Sequence, residues 1–498
     1  MDTEELGRGG RLRGAAADEL VTAAFAAESA HGPRLARGLS LADLAHSVAL
    51  VEGGGVGGDD AKALLRGLLE LHQIPPDDFP WDPTLGDAFN AREAELERRV
   101  GRSAAGWLSA GRPRREAFRV ALRITARTGI VGLQEALVTQ VSALAAHARA
   151  TKTAPATDYT YLQPAQPTTV GHLLLAYAYP ALRDADRARR SHHALGPSVA
   201  GAGGSAGSRW PLDRSRLAEL LGADGIVEHA KDAAWQADAY VELLSTLAIA
   251  ATHQSQIGQD FEIYASQEFG LVELADAHSR ASALMPQKKN PYALAAIRTQ
   301  AAQAAADVAG ALVVLHTGSA RTDHFHLLNG LVPRALEEAA GIARLTASVL
   351  ARLELRTARF EQVARESFVT AADVADVLAL TGRLDYRSAH KVVGRAVRDL
   401  VDAGEPPSAL TPERLAAAAE ATVGSAVTID AETLRSALDP AACAAARRQA
   451  GSSSEAALDA MLESVEQSVE EHVRWTEAAR ERQGAAEAAL LARAAELA

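Results

Sequence analysis

At 498 residues the chain is long enough to bury two or three hydrophobic cores rather than one. Its formal net charge of −12 argues against a nucleic-acid or anionic-membrane surface, while a local basic pocket could still take a small anion. A single cysteine, Cys443, excludes an internal disulfide framework and a cysteine-based metal cluster, and 4 % aromatic content in an alanine-dominated sequence favours helices over sheets. No run approaches the ~18 apolar residues of a membrane span and the first residues lack a secretory pattern, so a soluble cytoplasmic protein with no nucleic-acid or membrane partner is expected.

The first ~20 residues are rich in Gly and Arg and read as irregular. Helical periodicity begins near Ala16 and recurs from Ser40 to Glu70, punctuated by Gly53-Gly54-Gly55 and Gly57-Gly58. Ile74 to Pro83 is a Pro/Asp-rich loop, and Gly111-Arg-Pro-Arg-Arg-Glu116 reads either as a basic loop leading into a helix or as a solvated turn. Long helices follow. Ile130, Leu133, Leu137, Val141, Leu144 and Ala148 fall three or four apart, as do Tyr240, Leu244, Leu247 and Ala251. Leu294, Ile297, Ala301, Ala304, Val308, Ala311 and Leu315 hold a heptad-like spacing, the seam of a left-handed bundle, and such lengths point to bundle assembly between subunits, the alternative being an ordinary monomeric helical core. The Gly/Ser/Ala-rich segment from Leu195 to Pro211 reads as a flexible connection; no strand precedes it, which disfavours a nucleotide-binding loop. From Phe368 onward shorter helices with joints such as Gly404-Glu-Pro-Pro407 suggest a small C-terminal domain, and the last ~35 residues read as a solvated helix. The expected division is 1–115, 116–365 and 366–498: an N-terminal helical domain, a central long-helix bundle and a small helical domain with a terminal helix.

Ser279-Arg-Ala-Ser-Ala-Leu-Met-Pro-Gln-Lys-Lys-Asn-Pro291 gathers hydroxyls, two ammonium groups, an amide and a helix start into thirteen residues. With Asn290 as N-cap and Pro291 in the first helical position, the helix would aim its positive dipole end at the surroundings of Ser282 and Lys288, a setting that suits a carboxylate.

This run resembles the signature loop of the fumarase and aspartase superfamily, and in Met-Pro-Gln-Lys-Lys-Asn-Pro most closely that of the argininosuccinate lyases. Tyr159-Thr-Tyr-Leu-Gln-Pro-Ala-Gln-Pro-Thr-Thr-Val-Gly-His172 resembles the second block of that family, Gly111-Arg-Pro-Arg-Arg-Glu-Ala117 its first, and Gln267 to Asp276 the approach to its third. Phe368 to Asp376 and Tyr386 to Gly394 resemble its C-terminal domain, so the likeness runs from about Gly9 to Gly451. What it implies is an all-α, three-domain homotetramer with a central bundle of twenty helices, each active site drawing its blocks from three subunits. It further implies anti elimination from a succinyl adduct to release fumarate, with no metal and no cofactor. By that resemblance Ser282 is the catalytic base, Lys288 and Asn290 hold the charge developing on the carboxylate, and Thr160 and Gln163 bind the substrate. Arg114 and Arg115 would bind it from the first block; Arg115 either clamps a carboxylate or phosphate bidentately or is a plain surface charge.

The departures bear on the substrate. The family has a His where this chain has Tyr161 and a Glu orienting that His where this chain has Ala295, so a relay is missing as a unit. Tyr161 either donates the proton itself or fills the space that the His left. Ala281 and Ala283 stand where the family has Gly and a second Ser, and Thr322-Asp-His-Phe-His-Leu327 replaces a Lys- and Gln-bearing run. His324 and His326 there either line the distal substrate pocket or serve structure. His172 and His390 are assigned to structure. The expectation is a carbon–nitrogen lyase acting on a substituted succinate other than argininosuccinate; ordinary argininosuccinate lyase and a non-catalytic relative of the crystallin kind are the alternatives.

Overall fold

The computed structural model describes residues 15–318, 321–381 and 384–498; the Gly/Arg-rich start falls outside it up to residue 14. The helical pattern from Ser40 to Glu70 resolves into α1 (Gly32–Glu52) and α2 (Gly58–His72), broken at the glycine run where Gly53 ends the first helix. Helix α3 (Ala88–Val100) is started by Asp87, whose carboxylate accepts the Asn90 N–H at 3.0 Å. These pieces are pinned by a buried ion cluster: Asp43 on α1 accepts from Arg92 on α3 at 2.9 Å and from Arg112 at 2.8 Å, and none of the three is more than 4 % exposed.

Arg112 leads into α4 (Arg114–Ala150), 37 residues and about 55 Å long. Its periodic residues from Ile130 to Ala148 are all buried. One stretch of α4 has the length and hydropathy to cross a membrane, but 61 % of that stretch is buried inside the protein, as a core helix should be. Strands β1 (Pro155–Thr160) and β2 (Gln163–Thr169) form a hairpin at its far end, and α5 (Val170–Ala194), capped by Thr169, runs back along α4. Helix α6 (Asp238–Tyr264) follows, then the short pair β3 (Arg280–Ala281) and β4 (Lys289–Asn290), and the bundle is completed by α7 (Tyr292–Leu315) and α8 (His324–Ala351). The strands among the described residues pair only into two-stranded ribbons, so the fold is all-α.

Not all of the α7 seam is covered within the chain. Leu294, Ile297 and Ala311 are buried, whereas Ala301, Ala304, Val308 and Leu315 are half-buried and Leu312 and Val313 are 55 % and 75 % exposed. Helices α6 and α8 pack against one side of α7, and among the described residues the other side is left largely uncovered.

Apolar side chains gather into separate cores. One joins Leu35, Leu39 and Leu44 of α1 to Leu122 of α4 and Leu328 and Leu336 of α8; a second, at the opposite end, holds Val141, Leu144, Leu174, Phe261 and Leu294. A third stands in residues 374–437, around Val374, Val392 and Leu415. Helix α9 (Glu455–Leu497) is 43 residues long, about 65 Å, and is not solvated all round: Leu458, Leu462 and Val465 enter the second core and Leu490 and Ala494 the first.

The segment from Leu195 to Pro211 departs from the flexible connection expected of its composition. Val199, Ala200 and Ala202 are buried, and the N–H groups of Gly201 and Gly203 donate to the two oxygens of the buried Glu116 carboxylate, each at 2.7 Å. Both glycines have positive φ, 73° and 66°, so the glycine content serves a tight anion-wrapping path.

Candidate active site

The β1–β2 hairpin closes Thr160 opposite Gln163 around a two-residue turn. Tyr161 and Leu162 occupy that turn at φ 55° and 59°, where Asn-Gly is normal and a bulky side chain costs about 1–3 kcal/mol per residue. The turn projects outward: Tyr161 is 99 % exposed, and its phenol has no hydrogen-bond partner among the described residues. Thr160 is also exposed, and the Gln163 side-chain amide donates to the Leu162 carbonyl at 3.4 Å. The base of the ribbon is firmer, with Tyr159 edge-on to Phe269 and His172 bridging Thr168 and the Gly451 carbonyl.

Loop 280–290 is held by its own backbone. Ser282 N–H donates to the Lys288 carbonyl at 3.4 Å and Lys288 N–H to that of Met285 at 3.1 Å. On Ser282 Oγ two backbone N–H groups converge, from Leu284 at 3.3 Å and Met285 at 3.0 Å. Donors aimed at a hydroxyl oxygen favour its ionised form. The two ammonium groups divide their work. Lys289 pairs with Asp276 at 2.7 Å and Glu273 at 3.0 Å, which raise its pKa, while the exposed Lys288 makes no ion pair among the described residues. Asn290 is not the N-cap expected of it. Its side-chain N–H donates to the Arg280 carbonyl at 2.9 Å, tying β4 to β3; Pro291 flanks the helix and Tyr292 begins it.

Arg114 and Arg115 open α4 at its other end. Arg114 pairs with Asp87 at 2.9 Å, and Arg115 lines a cavity with His31, Phe118, Arg119, Phe325 and Asn329. His326 lines it too, paired with Glu28 at 3.0 Å, whereas His324, 1 % exposed, turns inward so that Nε2 bonds the Trp235 carbonyl at 2.9 Å. Two residues apart on a helix, they cannot share a face. Arg119 escaped the sequence reading, although an Arg inside the buried run Phe118 to Leu122 is the signal that could have found it. It is 5 % exposed and its guanidinium lies 4.3 Å from the Phe325 ring centre; burial pushes its pKa down to about 10.

Within one chain, therefore, Arg114 and Arg115 meet His326, but the length of α4 separates them from Thr160, Tyr161 and Gln163. Ser282, Lys288 and Asn290 lie towards that far end, where α7 begins in the second core. Among the described residues no group of three or more His, Cys, Asp or Glu could hold a metal ion.

The profile of a family described as lyase matches residues 35–306, and that of the argininosuccinate lyase C-terminal region residues 368–445. Argininosuccinate lyase of Halobacterium salinarum is 33 % identical over 431 residues, 86 % of each chain. That of Methanocaldococcus jannaschii is 28 % identical over 365 residues, 73 % of this chain and 75 % of that one. The crystal structure of EDDS lyase in complex with formate matches with a TM-score of 0.87 at 25 % identity, over 98 % of this chain and 97 % of that one. Fold and sequence together define a lyase built on long helices. The chain belongs to the fumarase/aspartase superfamily, in its argininosuccinate lyase-like branch.

Proposed function

We propose that the protein catalyses anti β-elimination from a nitrogen-substituted succinate other than argininosuccinate, releasing fumarate. A base takes the proton from one methine-adjacent carbon, that electron pair forms the C=C bond, and the C–N bond breaks with its pair staying on nitrogen. Ser282 is the base in this reading, its alkoxide supported by the Leu284 and Met285 N–H groups and by the Lys288 charge. Lys288 and the remaining N–H of the Asn290 amide hold the aci-carboxylate, and Thr160 and Gln163 the other carboxylate. The separation of the blocks along α4, the exposed hairpin tips and the half-covered α7 support a homotetramer in which three chains complete each site. Light scattering tests the assembly, and a fully active monomer would overturn it.

The observation that carries the substrate reading is the paired replacement at Tyr161 and Ala295. Both stand on the outside of the chain, so packing within the chain demands neither. Without the His–Glu relay the leaving group either takes its proton from Tyr161 or departs without one. The test is fumarate release from a panel of succinates: argininosuccinate, N-alkyl aspartates and 2-nitrosuccinate. Faster release from a compound other than argininosuccinate is expected; argininosuccinate as the best substrate would return the chain to ordinary argininosuccinate lyase.

A further inference from the structure

The cavity between the start of α4 and the start of α8 carries an imbalance of charge that the residues around it leave unresolved. Its two carboxylates are engaged, Asp87 by Arg114 at 2.9 Å and Glu28 by His326 at 3.0 Å. Arg115 and Arg119 have no carboxylate partner among the described residues. Arg119 spends one N–H on the Arg115 carbonyl at 2.7 Å, and its Nε and Nη2 are buried without any acceptor. The Oδ1 of Asn329 is likewise buried and unbonded, on an amide whose rotation would turn N–H donors to the same space. Burying a guanidinium is costly unless its donors are met, and one ring face and one carbonyl meet only part of the requirement. The open space, about 30 Å³, holds roughly two water-sized atoms, the size of a carboxylate head.

We infer that this cavity is an anion subsite, in which Arg119 and Arg115 receive a planar pair of negatively charged oxygens, carboxylate or nitro, carried by the leaving group. The inference rests on the lyase reading for what it calls the leaving group, but the subsite is read by binding alone. A fork of N–H donors matches two coplanar oxygens, whereas a guanidinium or ammonium placed here would face two cations.

The test is isothermal titration of the full protein with three ligands that share the succinate part: N-(carboxymethyl)aspartate, 2-nitrosuccinate and N-methylaspartate. One or both of the first two should bind about tenfold or more tighter than the third, the yield of charge-assisted hydrogen bonds, and which of them does so identifies the oxygen pair. Arg119→Met should erase that advantage and leave N-methylaspartate binding unchanged, with Arg119→Lys restoring part of it. Asn329→Leu, on the wall of the same cavity, gives the same readout should Arg119→Met fold poorly. Equal binding of all three by the unaltered protein, or an equal loss for all three in the variants, would overturn the subsite. Fumarate release from N-methylaspartate alongside that result would leave the lyase reading standing; tight binding with no release from any ligand would do the reverse.

Discussion

The two ends of α4 are built on opposite plans. At its start the chemistry-bearing side chains line one inward-facing cavity: Arg114 pairs with Asp87, His326 with Glu28, and the buried Arg119 rests on the Phe325 ring with two of its donors unmet. At its far end the chemistry-bearing side chains stand on two ribbons whose geometry is fixed by backbone bonds and whose tips stand in the open, Tyr161 at 99 % exposure and Leu284 at 85 %. The difference teaches that a single chain can prepare both halves of a site without being able to join them. The inward half is pre-organised by its own packing, the outward half by local turns that wait for another surface.

If the outward half does the proton abstraction, Ser282→Ala should lower fumarate release by about 10²–10⁴-fold with an unchanged helical circular dichroism spectrum. Lys288→Ala should raise KM as well, because the carboxylate loses its cation. Near-normal turnover of Ser282→Ala would place the base elsewhere. The inward half should respond in stability first: Asp43→Ala strands Arg92 and Arg112 in the core and should cost about 3–5 kcal/mol in urea unfolding.

A gentler effect separates the ends by pH. Burial pushes His192 on α5, packed edge-on against Trp475 and beside Arg127, down to about 4. With the folded pKa below that of the unfolded chain, the unfolded state binds the extra proton between about 6.5 and 4, so stability present above pH 6.5 is lost as pH falls through that window. His192→Gln should flatten that slope in urea midpoints measured at pH 7.5 and 5.5. The smallest effect is expected at the most conspicuous side chain. Tyr161→Phe should change turnover by less than about twofold if the leaving group departs unprotonated, and should depress it for poor leaving groups, with binding intact, if the phenol is the acid.

The long helices were legible because their pattern is local. The six apolar positions from Ile130 to Ala148 and the α7 seam carry the helical period in the sequence itself, and the glycine run that ends α1 is visible by eye. What was not legible depends on partners far along the chain. Leu195 to Pro211 has the composition of a linker, and nothing within it announces that Glu116 will gather its amides. Asn290 has the right residue type for an N-cap, but the Arg280 carbonyl ten residues earlier claims its amide. In the site, residue types and loops could be named from the sequence by resemblance, whereas the opposite facings of His324 and His326, the sparing of Lys288 by Lys289 and the buried donors of Arg119 required coordinates.

Helix α9 has a consequence for the order of events during synthesis. Leu490 and Ala494 lie in the same core as Leu35 and Leu39, and Arg493 bonds Glu52 at 2.8 Å. On a ribosome adding about 5–20 residues per second, the first helices therefore wait roughly 20 to 85 seconds for the side chains that close their core. Until then the core that α1 and α2 share with the last helix stays open on that side, so a chain halted before residue 490 should be a chaperone client or a protease substrate rather than a smaller working lyase.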